Sequence, residues 1–224
     1  MVAVIIVAAG GSRRMGFDKL TALLAGRPVL ARAIEAFENA KSIDLVLLVV
    51  SEQRVAEFEQ WKTRYGYQKL AAVVAGGSER HLSVANGLAR LPADCRWVAV
   101  HDGARPLVSP GVIDRCVAAA REHGAVACAR PLVETIKRTD ADGVVRESVS
   151  RDNLWAMETP QVFSRALLQQ AYKEVLEDGA VVTDEVSALQ WIGMDVRVMA
   201  NDRPNPKITF SGDLVLAEAA LGKS

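Results

Sequence analysis

Apolar side chains fall in short unbroken runs along this chain: Val2 to Val7, Leu45 to Val50, Leu70 to Ala75, Trp97 to His101 and Ala125 to Ala129. A strand buried on both faces needs such continuity, so each run predicts a strand inside a sheet covered on both sides. Between the runs the spacing becomes helical. Pro28 opens one stretch in which Leu30, Ala33, Ile34 and Phe37 share a face, Ser51 is placed to cap a second helix, and Ser109-Pro110 starts another. Strand alternating with helix implies right-handed crossovers and a mainly parallel sheet, with ligands at the carboxyl ends of its strands. The expected fold class is therefore α/β, three-layered, in one domain spanning residues 1–224.

One stretch breaks this rhythm. From about Leu132 to Val149, the segments Thr135 to Thr139 and Val144 to Val149 flank the turn signal Asp140-Ala141-Asp142-Gly143, which predicts a β-hairpin. A polar two-stranded ribbon is marginal alone, so this arm, residues 132–150, is expected to lie on a second subunit and make a homodimer. A hairpin left in solvent on a monomer is the alternative.

Composition narrows the function classes. Half of the 224 residues are hydrophobic, enough for a substantial core, and 27 basic side chains balance 27 acidic ones. Zero net charge argues against nucleic-acid and membrane-surface partners, which call for a basic face. Cys95, Cys116 and Cys128 are odd in number, lack CxxC spacing and sit in or beside apolar stretches, as reduced thiols do. No apolar run approaches the roughly 20 residues of a membrane span, and no leader pattern is visible, so the expected compartment is the cytoplasm.

The strongest chemical signal follows the first run. Val7-Ala8-Ala9-Gly10-Gly11-Ser12-Arg13-Arg14-Met15, with Lys19 just beyond, combines small residues that admit a ligand to the backbone with fixed positive charge. It reads as a polyphosphate loop, with a tight turn as the plainer alternative. It lacks the Gly-Lys-Ser/Thr ending of the Walker pattern and the three spaced glycines of the dinucleotide fingerprint, so nucleotidyl transfer fits better than ATP hydrolysis or hydride transfer. A second glycine pair, Gly76-Gly77, precedes Ser78 and the capping-type Ser83 at a helix start, where the loop could meet a nucleobase or Ser83 could be structural. Asp102 and Arg105 flank Gly103 at a strand end, either as a brace for the loop or as contacts for a metal and an anionic, polyhydroxy substrate. Further hydroxyl and basic groups lie in Ser150 to Trp155, Glu158 to Phe163, Thr183-Asp184-Glu185, where Thr183 reads as an N-cap, and Asn205 to Thr209 around Lys207.

These motifs, in order and over nearly the whole chain, resemble the 2-C-methyl-D-erythritol 4-phosphate cytidylyltransferase family. The resemblance implies a Rossmann-like nucleotidyltransferase fold that joins CTP to a branched polyol phosphate with magnesium. Carried over residue by residue, it implies that Arg14 and Lys19 stabilise charge at the α-phosphorus, and that Ala8, Ala9, Gly10, Gly11, Gly77, Ser78, Ser83 and Gly103 hold the nucleotide. Asp102, Arg105 and Thr183 would grip the acceptor, and Lys207 would lie between the substrates. Arg151 and Thr159, with Thr135 on the same arm, would reach the acceptor phosphate of the partner subunit. Protein ligands for magnesium stay open; the triphosphate is expected to hold the ion, with Asp102 acting through water. Ser78 stands where relatives often carry an acid for the ribose, Glu134 where they carry Asp, and Glu158 where they carry Gln. A ribitol 5-phosphate cytidylyltransferase is the alternative acceptor reading, and a fused cyclase is not expected.

Overall fold

In the computed structural model, which describes residues 1–11 and 17–222, each of the five apolar runs is a strand of one sheet. β1 (Val2–Ala8) precedes a minimal ribbon of β2 (Leu23–Leu24) and β3 (Arg27–Pro28). Then come α1 (Val29–Asn39), β4 (Leu45–Val50), α2 (Val55–Tyr65), β5 (Leu70–Ala75), α3 (Arg80–Ala89), β6 (Trp97–Asp102), α4 (Pro110–His123) and β7 (Ala125–Pro131). The predicted arm is the antiparallel hairpin of β8 (Ile136–Thr139) and β9 (Val145–Val149), which forms its own two-stranded sheet. The chain continues through β10 (Trp155–Ser164), α5 (Arg165–Glu177), α6 (Glu185–Trp191), β11 (Arg197–Ala200) and α7 (Ser211–Leu221).

Among the described residues the main sheet has seven strands in the order β11-β7-β10-β6-β1-β4-β5. Pairings of β1 with β4 and β6, of β4 with β5 and of β7 with β11 are parallel, whereas β10 runs antiparallel to both neighbours. β10 and β11 enlarge the sheet beyond the strands that the apolar runs predict. β10 carries Glu158, Thr159 and Gln161 inward, and its register with β7 shifts between Met157 and Gln161. Helix starts follow partly as expected: Ser109 Oγ accepts from the Val112 N–H at 3.3 Å with Pro110 in the first turn. Ser51 instead makes no side-chain cap and leads into a 3-10 turn before α2.

Alternate residues of the central strands serve two cores. Val4, Ile6, Leu48 and Val50 pack with Leu30, Phe37, Phe58 and Ile113 on the α1, α2 and α4 side. Ala3, Ile5, Leu47 and Val49 pack with Val84, Leu88, Leu168 and Tyr172 on the α3 and α5 side. Among the described residues no helix is long and apolar enough to cross a membrane.

α3 approaches the sheet at Gly87, where an added Cβ would stand 2.7 Å from Ile5 Cγ2 and 3.3 Å from Val49 Cγ2. Ile5 is fully buried and branched at Cβ, so it has nowhere to move. Gly87→Ala gains about 1 kcal/mol of helix propensity but costs about 1–3 kcal/mol of overpacking, so a net loss of stability is expected. Urea unfolding measures it; stability equal to or above the parent protein's would show that α3 can withdraw from the sheet.

Candidate active site

The strand order reverses direction beside β1: β4 and β5 follow on one side and β6 on the other. That reversal separates the segments that leave the carboxyl ends of β1 and β6, leaving a crevice where doubly wound sheets bind ligands. A cavity of about 230 Å³ sits there. Its wall includes Ala8, Ala9, Gly10 and Gly11 from the end of β1, Lys19, and Gly77, Ser78 and Ser83 from the second glycine segment. The second pair is glycine for close packing: a Cβ on Gly76 would meet Ala9 Cβ and Ser83 Oγ at 2.6 Å, and one on Gly77 would meet Leu82 Cβ at 2.4 Å. Ser83 lies within α3, whose N-cap is Glu79, and its hydroxyl accepts from the Gly77 N–H at 3.1 Å and donates to Glu79 O at 3.1 Å. It pins the loop that lines the cavity.

A second cavity, about 460 Å³, adjoins the first and is lined by Arg105, Glu158, Thr159, Thr183 and Ser187 among others. Arg80, Asp102 and Lys207 belong to both walls. At this junction Asp102, 7% exposed, meets three cations. Arg80 Nε donates to Oδ1 at 3.1 Å, Lys207 Nζ lies 3.0 Å from Oδ2, and Arg105 Nε stands 3.5 Å from Oδ2. Burial alone would raise the Asp102 carboxyl, but the charges of Arg80, Lys207 and Arg105 outweigh it and hold it well below the usual carboxylate range. Arg80 is likewise disfavoured by burial, more than offset by Glu185 and Asp102, so it stays charged.

Lys207 comes from far along the chain and is placed by backbone bonds. The Ile208 N–H donates to Ala104 O at 2.8 Å, Arg105 Nη1 donates to Asn205 O at 2.7 Å, and Asn205 Nδ2 donates to Thr159 O at 2.8 Å. Arg105 also donates to Met157 O at 3.2 Å, so its contacts show the brace while one edge still lines the second cavity.

Behind the junction runs a hydrogen-bond chain with a fixed direction. His101 is fully buried, and its Nε2 faces the Arg105 carbonyl at 3.1 Å, an acceptor only, so Nε2 carries the proton. Nδ1 must then accept from Thr159 Oγ1 at 2.8 Å, and that oxygen accepts the Asp102 N–H at 3.1 Å. Burial, partly opposed by Asp102, lowers the imidazole from 6.5 to about 4, so the ring is neutral near pH 7.

Thr159 also lines the second cavity, its hydroxyl bonded to this chain's own His101 and Asp102. One expectation needs correction. The N-cap of α6 is Asp184, which accepts from the Ser187 N–H at 2.9 Å, and not Thr183, whose Oγ1 pairs with Ser187 Oγ at 3.1 Å. A carboxylate one residue later outcompetes the hydroxyl for the helix dipole. Gly103 packs on Leu30 and Ala8, donates its N–H to Val7 O at 2.9 Å, and is not among the residues that line the cavity. Thr135 and Arg151 are exposed on the arm side, Arg151 donating to Val133 O at 2.6 Å. Arg14 lies outside the described residues. His101, Arg80 and Glu185 stand within the sequence motifs without being marked by them, because a charged or imidazole side chain gives no sign in sequence of being buried.

The sequence matches the family model for 2-C-methyl-D-erythritol 4-phosphate cytidylyltransferase over residues 2–223. A protein of that name from Dehalococcoides mccartyi (strain CBDB1) is 39% identical over 223 residues, 99% of this chain and 96% of that one. Its namesake from Synechococcus sp. (strain WH7803) is 41% identical over 221 residues, 98% of each. In three dimensions the fold is similar to the crystal structure of 4-diphosphocytidyl-2C-methyl-D-erythritol synthase from Anaerococcus prevotii, with a TM-score of 0.86, 29% identity and coverage of 99% and 98%.

The buried neutral imidazole makes stability depend on pH. Its folded value of about 4 lies below the unfolded 6.5, so as pH falls the unfolded chain takes up the proton first. Stability from this group is complete above about pH 6.5 and drains away toward pH 4, a loss of about 2 kcal/mol between pH 7 and pH 5. Denaturant unfolding at the two pH values should show His101→Gln losing less over that interval than the parent; equal losses would mean that His101 is protonated in the folded protein.

Proposed function

Because the chain belongs to the 2-C-methyl-D-erythritol 4-phosphate cytidylyltransferase family, we propose that its two joined cavities divide that family's reaction, the first for CTP and the second for the acceptor. The activity is transfer of a cytidylyl group from CTP to 2-C-methyl-D-erythritol 4-phosphate with release of pyrophosphate, a step of isoprenoid precursor synthesis by the non-mevalonate route. The relatives described above carry the methylerythritol name, so the ribitol alternative is not favoured. The observation that supports the division is the junction itself: Lys207, Arg80 and Asp102 face both cavities, and a transferred group must cross between them.

The chemistry is an in-line displacement at the α-phosphorus. An oxygen of the acceptor's phosphate forms the new P–O bond as the bond to pyrophosphate breaks, and that oxygen is already ionised near neutral pH. No strong base is required. The work falls to positioning and to positive charge where negative charge accumulates. Lys19 in the first cavity and Lys207 at the junction supply it, with Arg14 of the glycine loop assigned the same role from the resemblance. Asp102 acts as the fixed counter-charge that aims Lys207, and the neutral His101 and Thr159 hold Asp102 by its backbone.

Among the described residues no group of three or more His, Cys, Asp or Glu side chains is placed to hold a metal ion. Magnesium, which keeps most of its waters, would be carried by the phosphates, with Asp102 and Glu79 the carboxylates that line the first cavity. When bound, the ion neutralises charge on the departing pyrophosphate. The arm, with Val133, Val144 and Val145 exposed, together with the exposed Trp155 at the start of β10, is the proposed dimer contact through which Thr135 and Arg151 reach the partner's acceptor cavity.

Pyrophosphate release with CTP and magnesium, offering methylerythritol 4-phosphate and ribitol 5-phosphate in parallel, tests the acceptor; turnover with the ribitol ester alone would overturn it. Lys207→Ala and Lys19→Ala should each lower kcat by roughly 10²-fold, the scale of losing one transition-state donor. The shared site is tested by mixing Lys19→Ala with Arg151→Ala protein. Each mixed dimer then holds one intact site, and random exchange should recover about a quarter of parental activity. No recovery in mixtures shown to exchange subunits would place Arg151 outside the partner's chemistry.

A further inference from the structure

We propose that Glu185, in the first turn of α6, is a positioning residue that fixes Arg80 in the wall between the two cavities and through it orients Asp102. The assay below rests on the cytidylyl-transfer reading; the geometry does not. Glu185 is 0% exposed and lines neither cavity, whereas Arg80 lines both. Its Oε1 accepts from Arg80 Nη1 at 2.8 Å and its Oε2 from Nη2 at 3.1 Å, a two-pronged grip on one edge of the guanidinium. Tyr172 OH donates to Oε1 at 3.0 Å and holds the carboxylate from the far side.

A guanidinium is planar and rigid, so fixing its two Nη groups also fixes the direction of Nε–H. Nε–H meets Asp102 Oδ1 at 3.1 Å. With Oδ1 held, the Asp102 carboxylate turns Oδ2 to Lys207 at 3.0 Å and Arg105 at 3.5 Å. Without Glu185, Arg80 can swing along the cavity wall, and Asp102 loses the contact that sets its rotation. A buried ion pair adds little stability over well-packed apolar residues of the same volume, so orientation of the site is the function this pair performs better than an apolar substitute would. The backbone of Glu185 is equally fixed: Asp184 caps the helix, and the Val186 N–H donates to Gln161 Oε1 of β10 at 3.3 Å.

Charge and volume give opposite orders for two variants. A positioning role requires the carboxylate, so Glu185→Asp should keep more activity than the isosteric Glu185→Gln; a packing role requires the reverse. Glu185→Gln is expected to lower kcat/KM about tenfold to a hundredfold, as small misplacements near reacting atoms do. If Glu185 acts through Arg80, the double variant Arg80→Gln/Glu185→Gln is no slower than Arg80→Gln alone. Parental kcat/KM in Glu185→Gln, a better Gln than Asp variant, or an added loss in the double variant would each overturn the proposal. Should Glu185→Gln fail to fold, the double variant, which buries neither charge, decides against Arg80→Gln. A crystal structure of Glu185→Gln, or of Glu185→Asp in its place, reads the same claim without turnover: Arg80 Nε withdrawn from Asp102 in the former supports it, and an unmoved Arg80 in both refutes it. An inactive parent protein would count against the assigned reaction, leaving the crystallographic result to judge Glu185.

Discussion

A carboxylate nearly out of reach of water must be neutralised where it stands, and the architecture around Asp102 follows from that requirement. Arg80 comes from the start of α3, Arg105 from the turn after β6, and Lys207 from the segment before α7. Each is delivered by a different part of the fold, so the ion cluster ties the sheet's central crevice to its distant segments. Its strength does not lie in net stability, since desolvation consumes much of the attraction between buried charges. It lies in geometry: Asp102 lines both cavities with one oxygen on Arg80 and the other facing Lys207 and Arg105, and that lysine, 42% exposed, lines both cavities too.

The neutral chain behind this cluster complements it. His101 and Thr159 touch Asp102 through its backbone N–H and Arg105 through its carbonyl, so they fix the loop without adding charge. A protonated imidazole there would add a fourth cation to a carboxylate already surrounded, and burial prevents it. Position and charge are thus set by separate groups.

What sequence reveals of this arrangement follows the physics of each part. The strands β1, β4, β5, β6 and β7 are legible because a parallel strand covered on both faces must be continuously apolar. β10 is not, because Glu158, Thr159 and Gln161 face the site and interrupt the apolar run with polar residues, while Arg197 and Val198 of β11 lie exposed on an edge strand. Among the site residues, the glycine segments, Lys19, Asp102 and Lys207 are visible as motifs and the fold brings them to one crevice. Arg80 and Glu185 sit two and three residues beyond Ser78 and Val182 in segments full of cap signals, where a charge normally belongs to solvent. Their pairing links positions 105 residues apart, and periodicity carries no information at that range.

The distance along the chain between Asp102 and Lys207 also sets an order of events during synthesis. β1, β4, β5 and β6 can pair as soon as they are made, since their contacts are with one another. Lys207 leaves the ribosome roughly a hundred residues after the carboxylate it neutralises, several seconds later at ordinary rates of elongation. Until then the crevice exists with an incomplete complement of charge, so a nascent chain acquires its shape well before it acquires its chemistry.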